Sequence, residues 1–345
     1  MSLGFDKSTN IFYGDNAQGK TNILEAVYLS GTTKSHRGTK DRDMIQFGEN
    51  ESHIETIVEK NGIKYQIDMH LKKNSPKGIA INKIPIRKAS ELFGIINIVF
   101  FSPEDLNIIK NGPGERRRFI DLELSQLDKV YLNNLSNYNR IVNQRNHLLK
   151  EIDYNKSALE TLDIWDMQLI QYGSKIIECR QKFIEEINEI ISNIHKKLTG
   201  NRENINIIYE PSNGVLSFEQ ALLKNKEKDL RIKSTSVGPH RDDIAFLVGD
   251  IDIRKYGSQG QQRTAALSLK LSEIELVKKS IHDTPVLLLD DVLSELDKHR
   301  QNYLLDSIHD IQTLITCTGV DEFVNHRFSI NKVFHVRNGQ VTKEN

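Results

Sequence analysis

The chain contains 345 residues, of which 47 are basic and 47 acidic, so its formal net charge is zero. This balance excludes a globally basic nucleic-acid binder, and any contact with nucleic acid needs a local patch. The 38% hydrophobic content suffices for buried cores in roughly two domains. The two cysteines are far apart, no apolar run approaches the ~20 residues that span a bilayer, and no signal peptide is recognisable, so we expect a soluble, cytoplasmic protein.

A phosphate-binding loop follows an apolar strand predicted at 11–13 and leads into an amphipathic helix. The loop fits the pattern G-x-x-x-x-G-K-[ST] and, with the first helical asparagine, consists of Gly14, Asp15, Asn16, Ala17, Gln18, Gly19, Lys20, Thr21 and Asn22. Its glycines let the backbone approach a phosphate chain, while amide hydrogens and the helix dipole converge on the anion. Lys20 is predicted to reach the β- and γ-phosphates and Thr21 to hold Mg²⁺. The sequence therefore predicts a nucleoside triphosphate site, with ATP and Mg²⁺ as cofactors.

The predicted secondary structure changes twice along the chain, from mixed strands and helices to long helices and back, which indicates an insert within one domain. Strands are predicted at 53–59, 64–71 and 95–101, together with a pair of short strands within 79–85 that turns at 82–83. Apolar residues spaced three or four apart then predict two long helices, from about 115 to 152 and from 162 to 198, around a break at 153–157. Mixed strands and helices are predicted again further on. They are a hairpin at 243–248 and 250–254, helices at 261–279 and 298–308, and strands at 285–289, 313–316 and 333–336. We expect a discontinuous ATPase domain (1–112 and 236–345) around a helical insert (113–235).

Two carboxylates end the apolar strand predicted at 285–289. Acidic side chains at the carboxyl edge of a buried parallel strand suit a phosphate-loop enzyme, which needs to hold Mg²⁺ and polarise water. Asp290 is predicted to bind the metal together with Thr21, and Asp291 to act as general base. Lys20 and Asp291 are thus the catalytic candidates.

A second helix start suited to a phosphate lies at 258–263. Ser258 is a good N-cap, Gly260 permits close approach of the backbone, and Gln261 belongs to the same turn. Because one nucleotide does not need two such cradles, we expect a head-to-tail homodimer, in which this turn closes over ATP held by the other subunit. An ordinary capped helix is the alternative for this segment taken alone.

These motifs together resemble the ABC-type, SMC-like ATPase heads of chromosome-maintenance and repair proteins, and most closely the RecF family of bacterial recombination mediators. The similarity is carried by segments 14–22, 34–37, 99–106, 114–121, 238–243, 258–263 and 289–297. It implies an α/β fold, a P-loop ABC-type ATPase head of mixed sheet and flanking helices, with an inserted lobe of long helices. It also implies a protein of recombinational repair, replication-fork maintenance and the SOS response, associated with the nucleoid.

The resemblance further implies an ATP-driven homodimer that binds duplex DNA or single/double-strand junctions without sequence preference. It would support recombinase loading at gaps with RecR- and RecO-type mediators, as a weak DNA-dependent ATPase. The sequence departs from the family at three points. Only thirteen residues precede Gly14, so we expect the family's first strand to be missing. Asp291 stands where most transporter heads have glutamate, which predicts slow hydrolysis. The transporter-type glutamine and histidine are not found, and Thr316 or Thr318 is expected near the γ-phosphate instead.

Two basic segments are candidates for contact with DNA phosphates through salt-sensitive attraction. The first comprises Lys34, His36, Arg37, Lys40 and Arg42, and the second Arg116, Arg117 and Arg118. The alternatives are a solvated charged surface and ion pairs with neighbouring acidic residues.

Two other functions compete with a DNA-coupled ATPase. In the first, ATP binding alone forms a DNA clamp and hydrolysis is incidental. The second, a transporter head, is disfavoured because the long helical insert has no place there.

Overall fold

The computed structural model describes residues 1–151, 158–319 and 330–344. Its helices are α1 (Lys20–Thr32), α2 (Leu106–Lys110), α3 (Pro113–Leu127), α4 (Lys129–Glu151), α5 (Ala158–Leu198), α6 (Phe218–Lys224), α7 (Lys226–Ile232), α8 (Ile253–Tyr256), α9 (Gln259–Ile281) and α10 (Lys298–Ser307). Its strands are β1 (Thr9–Tyr13), β2 (Glu51–Lys60), β3 (Ile63–Lys72), β4 (Ser75–Ile81), β5 (Ile84–Pro85), β6 (Ile98–Phe101), β7 (Ile205–Glu210), β8 (Asp243–Val248), β9 (Ile251–Asp252), β10 (Val286–Asp290), β11 (Thr313–Cys317), β12 (Ile330–Arg337) and β13 (Gln340–Glu344). Single 3₁₀ turns lie at Asp41–Met44, Ala89–Glu91, Pro103–Asp105, Pro239–Arg241 and Leu293–Glu295.

The chain divides into two compact units. The sheet unit comprises Met1–Asp105 and Lys270–Asn345, and the helical unit comprises Leu106–Leu269. The boundaries of these units lie at 105/106 and 269/270, whereas the sequence predicts domain boundaries at 112/113 and 235/236. The second boundary of the units falls inside α9.

A six-stranded mixed sheet forms the centre of the sheet unit, in the order β13-β12-β1-β11-β10-β6. Strand β1 runs parallel to β11 and to β12, β10 runs parallel to β11 and β6, and β13 alone is antiparallel to its neighbour. Leu287, Leu288 and Leu289 are all fully buried, as expected of a parallel strand that is covered on both faces. The register sets Tyr13 beside Cys317 and Asp290 beside Thr316. The loops after β1 and β10 therefore leave the sheet at the same edge.

A second, antiparallel sheet in the same unit has the order β2-β3-β4-β5. The strands predicted at 53–59 and 64–71 correspond to its first pair, which is in register over ten residues. Helix α1 packs against both sheets, through β10 and β6 and through β2 and β3. The helix thereby joins the phosphate loop to the core of the unit.

The helical unit is built around α4 and α5, which pack against each other. The predicted apolar stripes are buried, at Tyr131, Tyr138, Val142 and Leu149 on α4 and at Leu162, Leu169, Ile176, Phe183, Ile187 and Ile194 on α5. A methyl group at Gly173 would overlap the ring of Phe218, so glycine allows α6 to approach α5 closely. The predicted break at 153–157 lies outside the described residues.

Two arginines are buried within the helical unit and hold its parts together. Arg145 bonds Asp166 at 2.6 Å through Nε and Asp229 at 2.7 Å through Nη1. Arg180 donates to Asp121 and to the carbonyl oxygen of Pro239, at 2.7 Å each. A buried charge is tolerated only when it is paired in this way, so these arginines are structural.

The predicted hairpin at 243–254 is wrong in its second half. Strand β8 pairs with only two residues of β9, and the backbone then turns into α8. The carboxylate of Asp252 caps this short helix by accepting the N–H of Arg254 at 3.0 Å. The capping interaction favours a helical turn over continued pairing. Strand β13, which the sequence reading missed, pairs with β12 across a turn at 338–339.

In the described ranges, which omit 152–157, 320–329 and 345, no helix is both long and apolar enough to cross a membrane.

Candidate nucleotide-binding site

The phosphate loop adopts the backbone that its glycines permit. Gly14 (φ 149°) and Gly19 (φ 101°) both have positive φ, and a Cβ at Gly14 would overlap the carbonyl oxygen of Val336. Ala17 also lies in the left-handed region, at φ 63°. The loop therefore wraps tightly before α1 begins at Lys20, so that the first amides of the helix are available to an anion.

Lys20 lies across the loop and is buried, with 8% of its surface exposed. Its ammonium group donates to the carbonyl oxygens of Gly14 at 2.5 Å and Asp15 at 2.8 Å. The charge is thus held at the centre of the loop, where it would meet the phosphates of a bound nucleotide.

The acidic end of β10 meets the phosphate loop. The carboxylate oxygen Oδ1 of Asp290 accepts the Thr21 hydroxyl at 2.9 Å and the Thr316 hydroxyl at 2.7 Å. Thr316 in turn accepts the backbone N–H of Asp291 at 3.0 Å, and Asp291 has φ 53°. The hydroxyl of Thr21 and the carboxylate of Asp290 are oxygen ligands of the kind that Mg²⁺ prefers, so the two residues fit a magnesium site.

A cavity of about 230 Å³ opens beside this contact. Its lining includes Thr21, Glu25, His36, Arg37, Phe100, Ser102, Glu104, Asp290 and Asp291. The imidazole of His36 stacks on the ring of Phe100, with 3.9 Å between centroids, and bonds the hydroxyl of Ser102 at 3.0 Å. The cavity therefore brings both candidate carboxylates together with a basic loop at one edge of the sheet.

The second predicted phosphate cradle lies in the helical unit, at the start of α9. The hydroxyl of Ser258 accepts the N–H of Gln261 at 3.2 Å, and the side-chain oxygen of Gln261 accepts the N–H of Ser258 at 3.0 Å. This reciprocal capping box fixes the turn, and Gly260 within it is exposed. The two cradles belong to different units of the chain.

Comparison with known proteins identifies the family. The family model described as "RecF/RecN/SMC N terminal domain" matches residues 1–342. The chain belongs to the RecF/RecN/SMC family.

Individual relatives are similar over almost the whole chain. It is 67% identical to the DNA replication and repair protein RecF of Agathobacter rectalis, over 99% of this chain and 94% of the relative. A solved structure of the recombination mediator RecF with ATP, from the RecFOR pathway, is 36% identical and superposes with a TM-score of 0.93, covering 99% and 93%. An Smc head domain derived from Pyrococcus furiosus shares the fold at 15% identity and a TM-score of 0.55, covering 99% and 91%. The predicted RecF resemblance and the mixed α/β ATPase-head fold are confirmed.

The RecF-family chain also contains contacts at the site that the sequence reading missed. Thr316, one of the two threonines expected near the γ-phosphate, is buried, and its hydroxyl donates to Asp290. The turn between β12 and β13 contacts the phosphate loop: the N–H of Asn338 donates to the side chain of Gln18 at 2.6 Å, and that of Gly339 to the Gln18 carbonyl at 3.0 Å. No motif marks either contact, because each depends on the order of strands in the sheet.

The candidate DNA-binding residues divide into exposed and buried ones. Lys34, Arg37, Lys40 and Arg42 are exposed, and Arg42 lies 3.5 Å from Asp43. His36 belongs to the cavity described above.

The three consecutive arginines of α3 differ in exposure. Arg116 is 4% exposed and pairs with Asp243 at 2.6 Å, so it is not available to a phosphate on the surface. Arg117 donates to the carbonyl of Asp242 at 2.7 Å, and burial lowers the pKa of its guanidinium. Arg118 is partly exposed, 3.9 Å from Glu115.

Proposed function

We propose that the protein is an ATP-binding, slowly ATP-hydrolysing DNA-binding protein of recombinational repair and replication-fork maintenance. The observation that carries this proposal is the 2.9 Å contact between the hydroxyl of Thr21 and the carboxylate of Asp290, two residues 269 positions apart. A phosphate loop joined to an acidic strand end is the arrangement that phosphoryl-transfer ATPases use. The similar RecF structure with ATP supports the choice of nucleotide.

The residues of the sheet unit have separable roles in this proposal. The amides at the start of α1 and the ammonium of Lys20 bind the phosphates. Thr21 and Asp290 would hold Mg²⁺, which supplies charge neutralisation on the phosphates when bound. Thr316 keeps the Asp290 carboxylate turned toward Thr21 through its 2.7 Å hydrogen bond.

Asp291 is the proposed general base for the attacking water. Its backbone is fixed by Thr316 and by the hydroxyl of Ser294, which donates to the Asp291 carbonyl at 2.8 Å. Its side chain is one methylene shorter than glutamate, so it would reach the water less well. We therefore expect slow turnover.

ATP is proposed to join two copies of the chain head to tail. The capped turn with Ser258, Gly260 and Gln261 would close over the nucleotide bound by the partner's phosphate loop. Its exposed position, at the start of the long helix α9, supports such a contact.

Duplex DNA or a single/double-strand junction is the proposed macromolecular ligand. The exposed cations Lys34, Arg37, Lys40 and Arg42 would contact its phosphates without reading sequence. The pathway of the solved RecF relative suggests RecR- and RecO-type proteins as further partners in recombinase loading at gaps.

The test is ATP turnover with and without duplex DNA at low salt, with Lys20→Met as the matched control. We expect slow turnover that DNA stimulates and that the control lacks. Wild-type affinity for ATP in Lys20→Met would contradict the assignment of the phosphate loop. A second measurement is the mass of the protein in solution: ATP should produce dimers in the wild type but not in Ser258→Arg.

A nucleotide-gated clamp is the second candidate, because the short Asp291 side chain is a weak arrangement for hydrolysis. Asp291→Asn separates the two. A clamp predicts that this variant keeps ATP-dependent DNA binding and accumulates dimers. Loss of DNA binding in Asp291→Asn would count against the clamp.

A further inference from the structure

A carboxylate outside α9 contacts the turn at its start. Glu203 lies between the end of α5 and the start of β7, and its Oε1 accepts the side-chain amide of Gln261 at 2.9 Å. Ser258, Gln261 and Glu203 all belong to the helical unit. The turn proposed to meet the partner's nucleotide is thus fixed from a second element as well as by its own cap.

The Gln261 amide has only one orientation that satisfies both neighbours. Its oxygen accepts the N–H of Ser258 at 3.0 Å, and its nitrogen donates to Glu203. If the amide were flipped, it would present a donor to an N–H and an acceptor to a carboxylate. Glu203 therefore selects the orientation that closes the capping box.

A buried histidine lies beside Glu203. His195 is completely buried on α5, and its Nε2 lies 3.4 Å from Oε2 of Glu203. Its Nδ1 lies 2.9 Å from the hydroxyl of Ser268, which itself donates to the carbonyl of Thr264 at 2.8 Å. Since that hydroxyl has a single hydrogen, it accepts from Nδ1–H of His195, and this bond fixes the imidazole ring to α9 with its Nε2 edge facing Glu203.

The backbone of Glu203 is anchored by the same helix end. Its N–H donates to the hydroxyl of Thr199 at 3.3 Å, and that hydroxyl donates to the carbonyl of His195 at 2.8 Å. Glu203 is 27% exposed at its side chain, so it reaches the surface from a fixed base. Both carboxylate oxygens therefore have defined neighbours.

We propose that Glu203 is a positioning residue for the head-to-tail contact: it holds the amide of Gln261, and with it the 258–262 turn, in the geometry that meets the partner's ATP. The role rests on the proposed function, because the turn needs a nucleotide in the partner subunit to act upon. The phosphate loop lies in the other unit, so the ATP affinity of a single subunit does not depend on Glu203.

The first arm of the test needs no nucleotide. Hydrogen exchange of the amides in 258–262 is compared among wild type, Glu203→Ala, Glu203→Gln and Glu185→Ala, an exposed glutamate on α5. We expect exchange about tenfold faster in Glu203→Ala, because the cap loses its support. Glu203→Gln retains an acceptor for Gln261 and should stay within about twofold of wild type, as should Glu185→Ala. Glu203→Asp keeps the charge but shortens the reach, so it should match Glu203→Ala and replaces that variant if it does not fold.

The second arm measures ATP affinity and ATP-dependent dimerisation of the same variants. Glu203→Ala should dimerise about tenfold more weakly with unchanged ATP affinity, and Glu203→Gln should restore dimerisation. Unchanged exchange in Glu203→Ala, or wild-type dimerisation despite faster exchange, would overturn the proposal. If the wild type forms no dimer with ATP, the proposed function fails, while the exchange arm still decides whether Glu203 holds the turn.

Discussion

The two units use charged residues in opposite ways. In the sheet unit, Lys20 and Asp290 contact backbone carbonyls and hydroxyl groups at the edge of a sheet, beside an open cavity. In the helical unit, Arg145 and Arg180 are fully buried and paired with carboxylates. A charge next to hydroxyls and a cavity can exchange its neighbours for a ligand, whereas a charge sealed in an ion pair cannot. We therefore expect substitutions of the cavity-edge charges in the sheet unit to affect ligand binding, and substitutions of the buried arginines in the helical unit to affect folding.

The largest effect is expected at Arg145. Arg145→Met leaves the buried carboxylates of Asp166 and Asp229 without their cation, which typically costs about 3–5 kcal/mol of stability. Arg140→Met, on the exposed side of the same helix, is the control and should change stability by less than about 0.5 kcal/mol. Urea unfolding measures both. Equal stability of the two variants would contradict the contrast between the units.

Acid sensitivity should come from His240 in the helical unit. Nε2–H of this histidine donates to the carbonyl of Thr235 at 3.1 Å, so its Nδ1 accepts the Tyr138 hydroxyl at 2.7 Å and the ring is neutral. Burial lowers the pKa of His240 to about 4 from its usual 6.5. The unfolded chain binds the extra proton between these values, so the stabilisation is complete above pH 6.5 and is lost as the pH falls toward 4.

The loss at pH 5 should be about 2 kcal/mol relative to pH 8. His240→Gln can keep both hydrogen bonds without titrating, so it should lack this part of the pH dependence. Urea unfolding of both proteins at pH 8, 6.5 and 5 measures the difference. Parallel curves for the two proteins would show that His240 is not the group responsible.

In the sheet unit, Asp290→Asn should leave folding nearly intact. The amide oxygen can still accept the hydroxyls of Thr21 and Thr316, so stability should change by less than about 1 kcal/mol. The charge proposed to hold Mg²⁺ is lost, and the gain in ATP affinity on adding Mg²⁺ should fall by about tenfold or more. Nucleotide titrations with and without Mg²⁺ test this, with the exposed Asp310→Asn as control. A variant that melts instead would mean that Asp290 is structural.

The smallest effect is expected at the basic loop. Lys40→Ala removes one exposed cation, so DNA affinity should fall a few-fold and the slope of log K against log salt by about 0.9. Arg42→Ala should do less, because Asp43 lies 3.5 Å from that arginine. DNA titrations at several salt concentrations compare them. If the slope of log K against log salt were unchanged in Lys40→Ala, this loop would not contact DNA phosphates.

The site could be predicted as far as its residues are consecutive in the sequence. The phosphate loop and the two carboxylates at the end of β10 are recognisable from consecutive residues whose chemistry is known. The role of Thr316 depends on the pairing of β10 with β11, and the contact of Gln18 with Asn338 depends on where the β12–β13 turn lies. Neither can be deduced from spacing. The same holds for Glu203, which no motif distinguishes from the other glutamates.

The different exposure of the three α3 arginines follows from the helix geometry of the sequence itself. Consecutive residues of a helix point about 100° apart, so three arginines in a row cannot share one surface. Arg116 lies one turn before Phe119 and Ile120, both buried, and is therefore on the inner face of the helix. The fold class was easier to predict, since alternating strands and helices around a long helical insert leave few architectures.

The position of β1 has a consequence for synthesis of the protein. This strand lies between β11 and β12, and the loop that follows it touches residues 336–339. Its hydrogen-bonding partners therefore emerge from the ribosome some 300 residues later, about 15–60 s at elongation rates of about 5–20 residues per second. The nascent chain cannot complete its central sheet during that interval, so the strand that precedes the phosphate loop has neither of its neighbouring strands. We therefore expect a product truncated before β11 to lack both the proposed ATP site and the proposed ATP-dependent dimerisation.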